Sequence, residues 1–199
     1  MPTLQGMTEV PPDVRRLDPR ALRGLAHPLR MRLLSVLRSH GPATASGLAD
    51  RLGESSGATS YHLRQLAAYG FVEDDPGRGT ARERWWKSVH RGSQLDSIGE
   101  FLQHPDPAVR GAMGVFMHEA STQHAQQLDT WLGTMHEWPE KWQLAWDMSD
   151  FAMRLTPELA EELTAQVHTL IESYRQKAVT EEETSSVRIH LHVFPHETD

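Results

Sequence analysis

"SSGATSYHLRQLAAYGFVEDDPGRGTARERWWK", residues 55–87, decides the fold. Ser55 is suited to cap a helix, because its hydroxyl can accept a hydrogen bond from a free backbone N–H of the first turn. Gly70 supplies the stop, since glycine adopts the left-handed conformation that ends helices. On a wheel of about 100° per residue the helix between them has two sides. Ala58, Thr59, His62, Leu66 and Tyr69 fall on one, with Leu63 at its edge. Ser56, Gly57, Ser60, Tyr61 and Arg64 fall on the other and are small or hydrogen-bonding. Such a face is either an ordinary solvated surface or one suited to a groove floor. There, small residues permit close approach, and hydroxyls and a guanidinium meet base edges or phosphates. Phe71-Val72-Glu73 then starts a strand, "DDPGRGTA" turns, and "RERWWK" returns. Arg78 falls at the tip of this hairpin, and two-residue alternation puts Arg82 and Arg84 on one face of the return strand. Trp85 and Trp86 must point to opposite faces, one of them into the core.

The residues before this stretch supply more helices. Asp18-Pro19 reads as an N-cap followed by proline at the first helical position. His27-Pro28 restarts the pattern, with Leu29, Leu33, Val36 and Leu37 on one face and Gly41-Pro42 as the stop. Thr44 can cap a third helix carrying Leu48, Ala49 and Leu52, which ends at Gly53. Only a few residues separate the third and fourth helices, which is helix-turn-helix spacing. A helix-turn-helix followed by a hairpin rich in arginine is a winged helix, and the wing adds phosphate or minor-groove contacts.

Residues 18–90, and within them "AHPLRMRLL" and "SSGATSYHLRQLAAYGFVE", resemble the winged-helix regulators of the arsenical-resistance (ArsR) type. The resemblance implies a homodimeric transcriptional regulator, usually a repressor released by a signal. It implies that Ser56, Gly57, Ser60, Tyr61 and Arg64 face DNA while His62 and Leu63 pack inward, in agreement with the wheel. Metal-sensing members carry a "CxC"-type thiolate site in an early helix. This chain has no cysteine, so that mode of sensing is closed to it.

Charge divides the chain. Through Gly92 there are 14 Lys and Arg against 9 Asp and Glu; from Ser93 onward there are 6 against 18. A basic front half fits a polyanionic partner, and an acidic back half does not. The absence of cysteine excludes disulfides and thiolate chemistry and fits the cytoplasm. No segment is long and apolar enough to span a membrane, and the first residues lack the apolar core of a secretory signal. No nucleophile elbow, phosphate loop or dinucleotide fingerprint is present, so no enzyme and no cofactor are expected.

"HPDPAVRGAMGVFMHEASTQHAQQLDTWLG" reads as one long helix from about 107 to 132, where the resemblance places a dimerisation helix. The alternative is an intrachain core helix. Trp138, Trp142 and Trp146 recur at four-residue spacing and on a helix would share a face. They are either core or, with Phe151 and Met153, the lining of a pocket for an apolar small-molecule effector. Met148–Leu155 and Val187–Val193 alternate as strands on either side of a helix that starts at Thr156-Pro157. His190 and His192 share a strand face and are weak metal candidates; the alternative is the wet side of that strand, and no metal is assigned.

The expected fold is mostly α with small β. Its parts are a flexible arm (1–17), a winged helix-turn-helix DNA-binding domain (18–92), a linker and dimerisation helix (93–134) and an accessory α+β domain (135–199). The expected function is a homodimeric, sequence-specific DNA-binding transcriptional regulator with double-stranded DNA as partner. Two rivals stand beside it: a winged helix that serves only as a protein-interaction module, and a histidine-based metal-responsive regulator.

Overall fold

The computed structural model of the protein describes residues 13–78, 84–95, 98–175, 177 and 184–196. The chain divides into two compact units, residues 1–130 and 131–199.

In the first unit, strand β1 (Val14–Arg16) leads into α1 (Pro19–Leu25) and α2 (Pro28–His40). Strand β2 (Ala43–Thr44), α3 (Ala45–Leu52) and α4 (Ser56–Ala68) follow. Strands β3 (Val72–Asp74), β4 (Trp85–Ser88) and β5 (Gly92–Gln94) then precede α5 (Ile98–Leu102) and α6 (Pro107–Thr134). The helix starts are chemically fixed. Asp18 Oδ1 accepts from Ala21 N at 2.6 Å, Thr44 Oγ1 from Gly47 N at 3.1 Å, and Ser55 Oγ from Ala58 N at 3.2 Å. Each such cap is worth about 1 kcal/mol. The cap of α2 is less usual: the imidazole Nδ1 of His27 accepts from Leu29 N at 3.2 Å. Gly53 and Gly70 end α3 and α4 with φ of 66° and 73°.

Helices α1–α4 enclose Leu25, Leu33, Leu34, Leu37, Leu48, Leu63 and Leu66, and Phe71, Val72 and Trp86 close this core from the sheet side. Strands β2, β4 and β3 lie side by side and antiparallel, with Val72 opposite Ser88 and Asp74 opposite Trp86. Of the tryptophan pair, Trp86 is the one in the core, and Trp85 is half-buried. Gly24 permits α1 to meet the end of α4: a β-carbon there would stand 2.3 Å from Cγ of Tyr69.

Three features depart from the sequence expectations. The segment expected as an arm is structured at its end, where β1 pairs in parallel with β5 and Leu17 is buried. A three-residue strand with a distant partner leaves no local signal. Arg38 pins the same region, donating to the carbonyl of His90 at 3.0 Å and to Ser93 Oγ at 2.9 Å. Burial, with Arg15 nearby, brings its guanidinium down to about 10, still protonated at neutral pH. The second departure is α5, which occupies the expected linker and buries Phe101 with Leu22, Val109 and Met113. The third concerns α6. Phe116 and Ala120 pack against the first unit's core, so that stripe of the helix belongs to its own chain.

The second unit contains the last residues of α6, a 3₁₀ turn (Met135–Glu137), the one-turn helix α7 (Glu140–Gln143) and α8 (Pro157–Arg175). Here the α+β expectation is corrected. Residues 148–155 and 184–196 carry no strand, and no described residue of this unit is buried. Alternating apolar residues become a strand only when a neighbour takes up their backbone hydrogen bonds. Within the unit neither segment has one. No helix among the described residues is long and apolar enough to cross a membrane.

Candidate nucleic-acid interface

Helix α4 presents the two sides that its sequence predicts. Thr59, Leu63 and Leu66 are fully buried, while Ser56, Gly57, Tyr61 and Arg64 are exposed and Ser60 is half-buried. A β-carbon on Gly57 would meet open space, so the backbone at the start of the helix is open to close approach. In front of this face lies an open concavity of about 380 Å³. Its lining brings together Ser56, Ser60 and Arg64 of α4, Arg84 just before β4, Trp86, and Thr44, Ala45 and Ser46 at the start of α3. Gly57 and Tyr61 lie beside this lining, on the same exposed side of the helix. Thr44 and Ser46, whose hydroxyls are 3.1 Å apart, were missed from sequence. The only hint was that Thr44 caps a helix, which places its hydroxyl at a positive helix end.

The wing corrects a one-sided reading of its charge. Residues 73–87 contain four cations (Arg78, Arg82, Arg84, Lys87) and four anions (Glu73, Asp74, Asp75, Glu83). The register sets several of them against one another. Arg84 Nε lies 3.0 Å from Asp74, Arg78 Nε 3.4 Å from Asp75, and Lys87 Nζ 3.3 Å from Glu73. These pairs are at least partly solvated, so each is worth at most about 1 kcal/mol on its own. Arg82 lies outside the described residues.

Behind this face of α4 sits a titratable cluster. The rings of His27 and His62 stack with centroids 4.3 Å apart. Burial lowers both from the ordinary histidine range, and Arg30 lowers both further; Glu54 opposes this at both, and Glu119 of α6 at His27. Thr59 Oγ1, His62 Nδ1 and Arg30 Nε are buried here without a hydrogen-bond partner. Because the folded protein holds these histidines neutral, the unfolded chain takes up protons first as the pH falls. Stability is thus full above about 6.5 and declines as the pH drops through the lower folded values. Protonation also removes the Nδ1 acceptor that caps α2. We expect the urea midpoint to fall measurably between pH 7.5 and 5.5, and His27→Ser, which keeps a cap acceptor, to lessen that fall. Equal acid sensitivity in the two proteins would assign it to other groups.

The remaining candidates do not assemble as expected. Trp138, Trp142 and Trp146 do not share a helix, because Trp138 is extended before Pro139 and α7 ends at Gln143. Trp138 and Trp146 instead meet Trp131, edge to face, at 5.7 and 6.2 Å. Phe151 and Met153 are 79% and 58% exposed and enclose nothing. His190 and His192 lie outside any strand, and among the described residues no group of three or more His, Asp or Glu side chains converges as a metal site.

A buried helical core, two short helices joined by a tight turn, and a hairpin beside the second define a winged helix-turn-helix domain. Residues 25–75 match the family model described as a helix-turn-helix domain. Solved structures with distant likeness include the C30AH42A mutant of ZitR from Lactococcus lactis in apo form. It is 16% identical, with 73% of this chain and 83% of that one covered and a TM-score of 0.29. RV1404 from Mycobacterium tuberculosis is 14% identical over 80% and 85% of the two chains, with a TM-score of 0.31. AbfR in a disulfide form is 17% identical over 55% and 71%, with a TM-score of 0.26. No curated protein matches the chain.

Proposed function

We propose that the protein is a cytoplasmic, homodimeric transcriptional regulator of the ArsR type that binds a specific double-stranded operator and has no catalytic activity. The observation that carries this is the concavity in which Ser56, Ser60, Arg64 and Arg84 converge before an exposed, small-residue helix face. Ser56, Gly57, Ser60, Tyr61 and Arg64 meet the major groove; Arg78 and Arg82 neutralise phosphates beside it. Residues 18–92 carry DNA binding, 93–134 carry dimerisation and 135–199 form an accessory domain. A gel shift with genomic fragments, followed by footprinting, tests the proposal. Binding of no fragment in preference to any other would leave the interaction-module alternative.

Two substitutions sharpen it. Arg64→Ala costs about 1–3 kcal/mol on the operator if Arg64 reads a base, with relaxed preference at one position. Arg78→Ala weakens all sequences alike and lowers the salt slope by up to about one unit. That drop falls short of one to the extent that Asp75 already neutralises the side chain. Wild-type affinity in both variants would exclude this face.

We place the proposed apolar small-molecule effector at the Trp131, Trp138 and Trp146 cluster rather than along the expected tryptophan row, because these three rings meet. Its check is a compound that changes tryptophan fluorescence and operator affinity at the same concentration.

A further inference from the structure

On the DNA-binding proposal, a carboxylate near the interface is costly, because it repels every phosphate whatever the sequence. Asp74 is such a carboxylate. It lies 3.0 Å from Nε of Arg84, and Arg84 lines the concavity beside Ser56, Ser60 and Arg64. The register explains the contact. Asp74 and Trp86 are direct partners across β3 and β4, and Arg84 precedes Trp86 by two, so all three side chains share one face of the hairpin. The guanidinium of Arg84 rests 4.1 Å above the ring of Trp86, which is itself fixed in the core. The arginine is therefore held twice, by an ion pair at Nε and by a cation–π contact on its face. Neither contact uses up the paired terminal nitrogens. No other described cation of the wing is held so. Arg78 lies against Asp75 without a ring beneath it and does not line the concavity, and Lys87 stands between Glu73 and Asp75.

We propose that Arg84 reads a base edge instead of clamping a phosphate, with Asp74 as its positioning residue. The ligand feature is a pair of acceptors at fork spacing, which in duplex DNA is O6 and N7 of a guanine in the major groove. A fork biased to one direction by an ion pair and a ring together disfavours edges that present a donor there. Asp74 makes this rejection stronger in a second way, because its charge lowers affinity for any site where the fork is left unused. Specificity is a difference between affinities, and a repulsive group raises it as effectively as an attractive one. The inference rests on the DNA-binding proposal above.

The test uses the full chain. Wild-type protein selects duplexes from a randomised pool, and affinities are then measured for every single-base-pair variant of the selected site, with wild type, Arg84→Lys, Arg84→Ala and Asp74→Asn. Arg84→Lys keeps the charge and loses the fork. It should lower discrimination at one guanine about tenfold or more and leave other positions and the salt slope unchanged. Arg84→Ala should lose the same preference. Asp74→Asn should reduce discrimination at that guanine about fivefold while binding to unrelated DNA holds or tightens. Thermal melts of the variants check that the exposed substitutions leave the fold intact. If Arg84→Ala weakens every duplex equally, or Asp74→Asn tightens every duplex equally or changes nothing, Arg84 is a phosphate contact and the inference is overturned. If the wild-type chain selects no sequence, the DNA-binding proposal fails with it.

Discussion

Phe71→Ala is expected to remove about 3–5 kcal/mol of stability, the range for deleting a large aromatic side chain from a packed core. Against the total of about 5–15 kcal/mol typical of natural domains, that is a large fraction. Phe71 is 1% exposed and joins three parts of the first unit. Its N–H donates to Leu66 O at 2.9 Å, ending α4, and its own carbonyl accepts from Val89 N at 3.0 Å, at the base of the hairpin. The guanidinium of Arg15, from β1, lies 4.2 Å above its ring. Removing the ring opens a cavity and strips Arg15 of its platform. Urea unfolding measures the loss. A cost below about 1 kcal/mol would mean that the neighbours collapse into the space, and the core reasoning here would be wrong.

The second large effect concerns assembly. Val115→Glu is expected to give monomers and to weaken operator binding by about 10²–10⁴-fold, the advantage of engaging two half-sites at once. Val109, Met113, Phe116 and Ala120 already pack against their own chain, so in the proposed dimer a partner would meet other faces of α6. Gly111 and Gly114 look onto open space and Val115 is exposed beside them. Near a two-fold axis an introduced glutamate meets its own copy, so one substitution places two like charges together. Phe116→Glu would be a poor probe, because it would damage the core before it touched any interface. Sedimentation velocity with operator titration decides the matter. A dimer that survives the substitution with unchanged affinity moves the interface off this part of α6. With the dimer intact, half-sites about 34 Å apart are expected.

What could be read from sequence was what short-range chemistry determines. Asp18, Thr44 and Ser55 cap the helices their side chains suit, because each bond spans only three residues. The inward and outward sides of α4 followed from helical period alone. The misreadings share a physical origin in partners that are distant or missing. Val187, Ile189, Leu191 and Val193 alternate like a strand, yet all four side chains are exposed and no strand forms. The tryptophan spacing suggested a helix, but Pro139 disfavours helical backbone at the residue before it, and Trp138 is extended. That signal was present and was outweighed by the spacing. The arginines of the wing are plain in its sequence, but their partners are not, because the hairpin register places Glu73 opposite Lys87 and brings Asp74 to Arg84. The contribution of Thr44 and Ser46 to the concavity is purely spatial, since α3 and β4 meet only in the folded unit.

The parallel pairing of β1 with β5 has a kinetic consequence. Val14 and Gly92 are 78 positions apart, so their pairing closes a long loop. Helical turns form within about a microsecond, whereas joining distant segments must first overcome the entropy of closing a long loop. The winged helix should therefore fold with its four helices and hairpin early and its amino-terminal strand last. In synthesis from the amino terminus, β1 is the first strand made and waits longest for its neighbour. Until Gly92–Gln94 arrives, β1 has no strand to pair with, and the nascent domain carries an open edge.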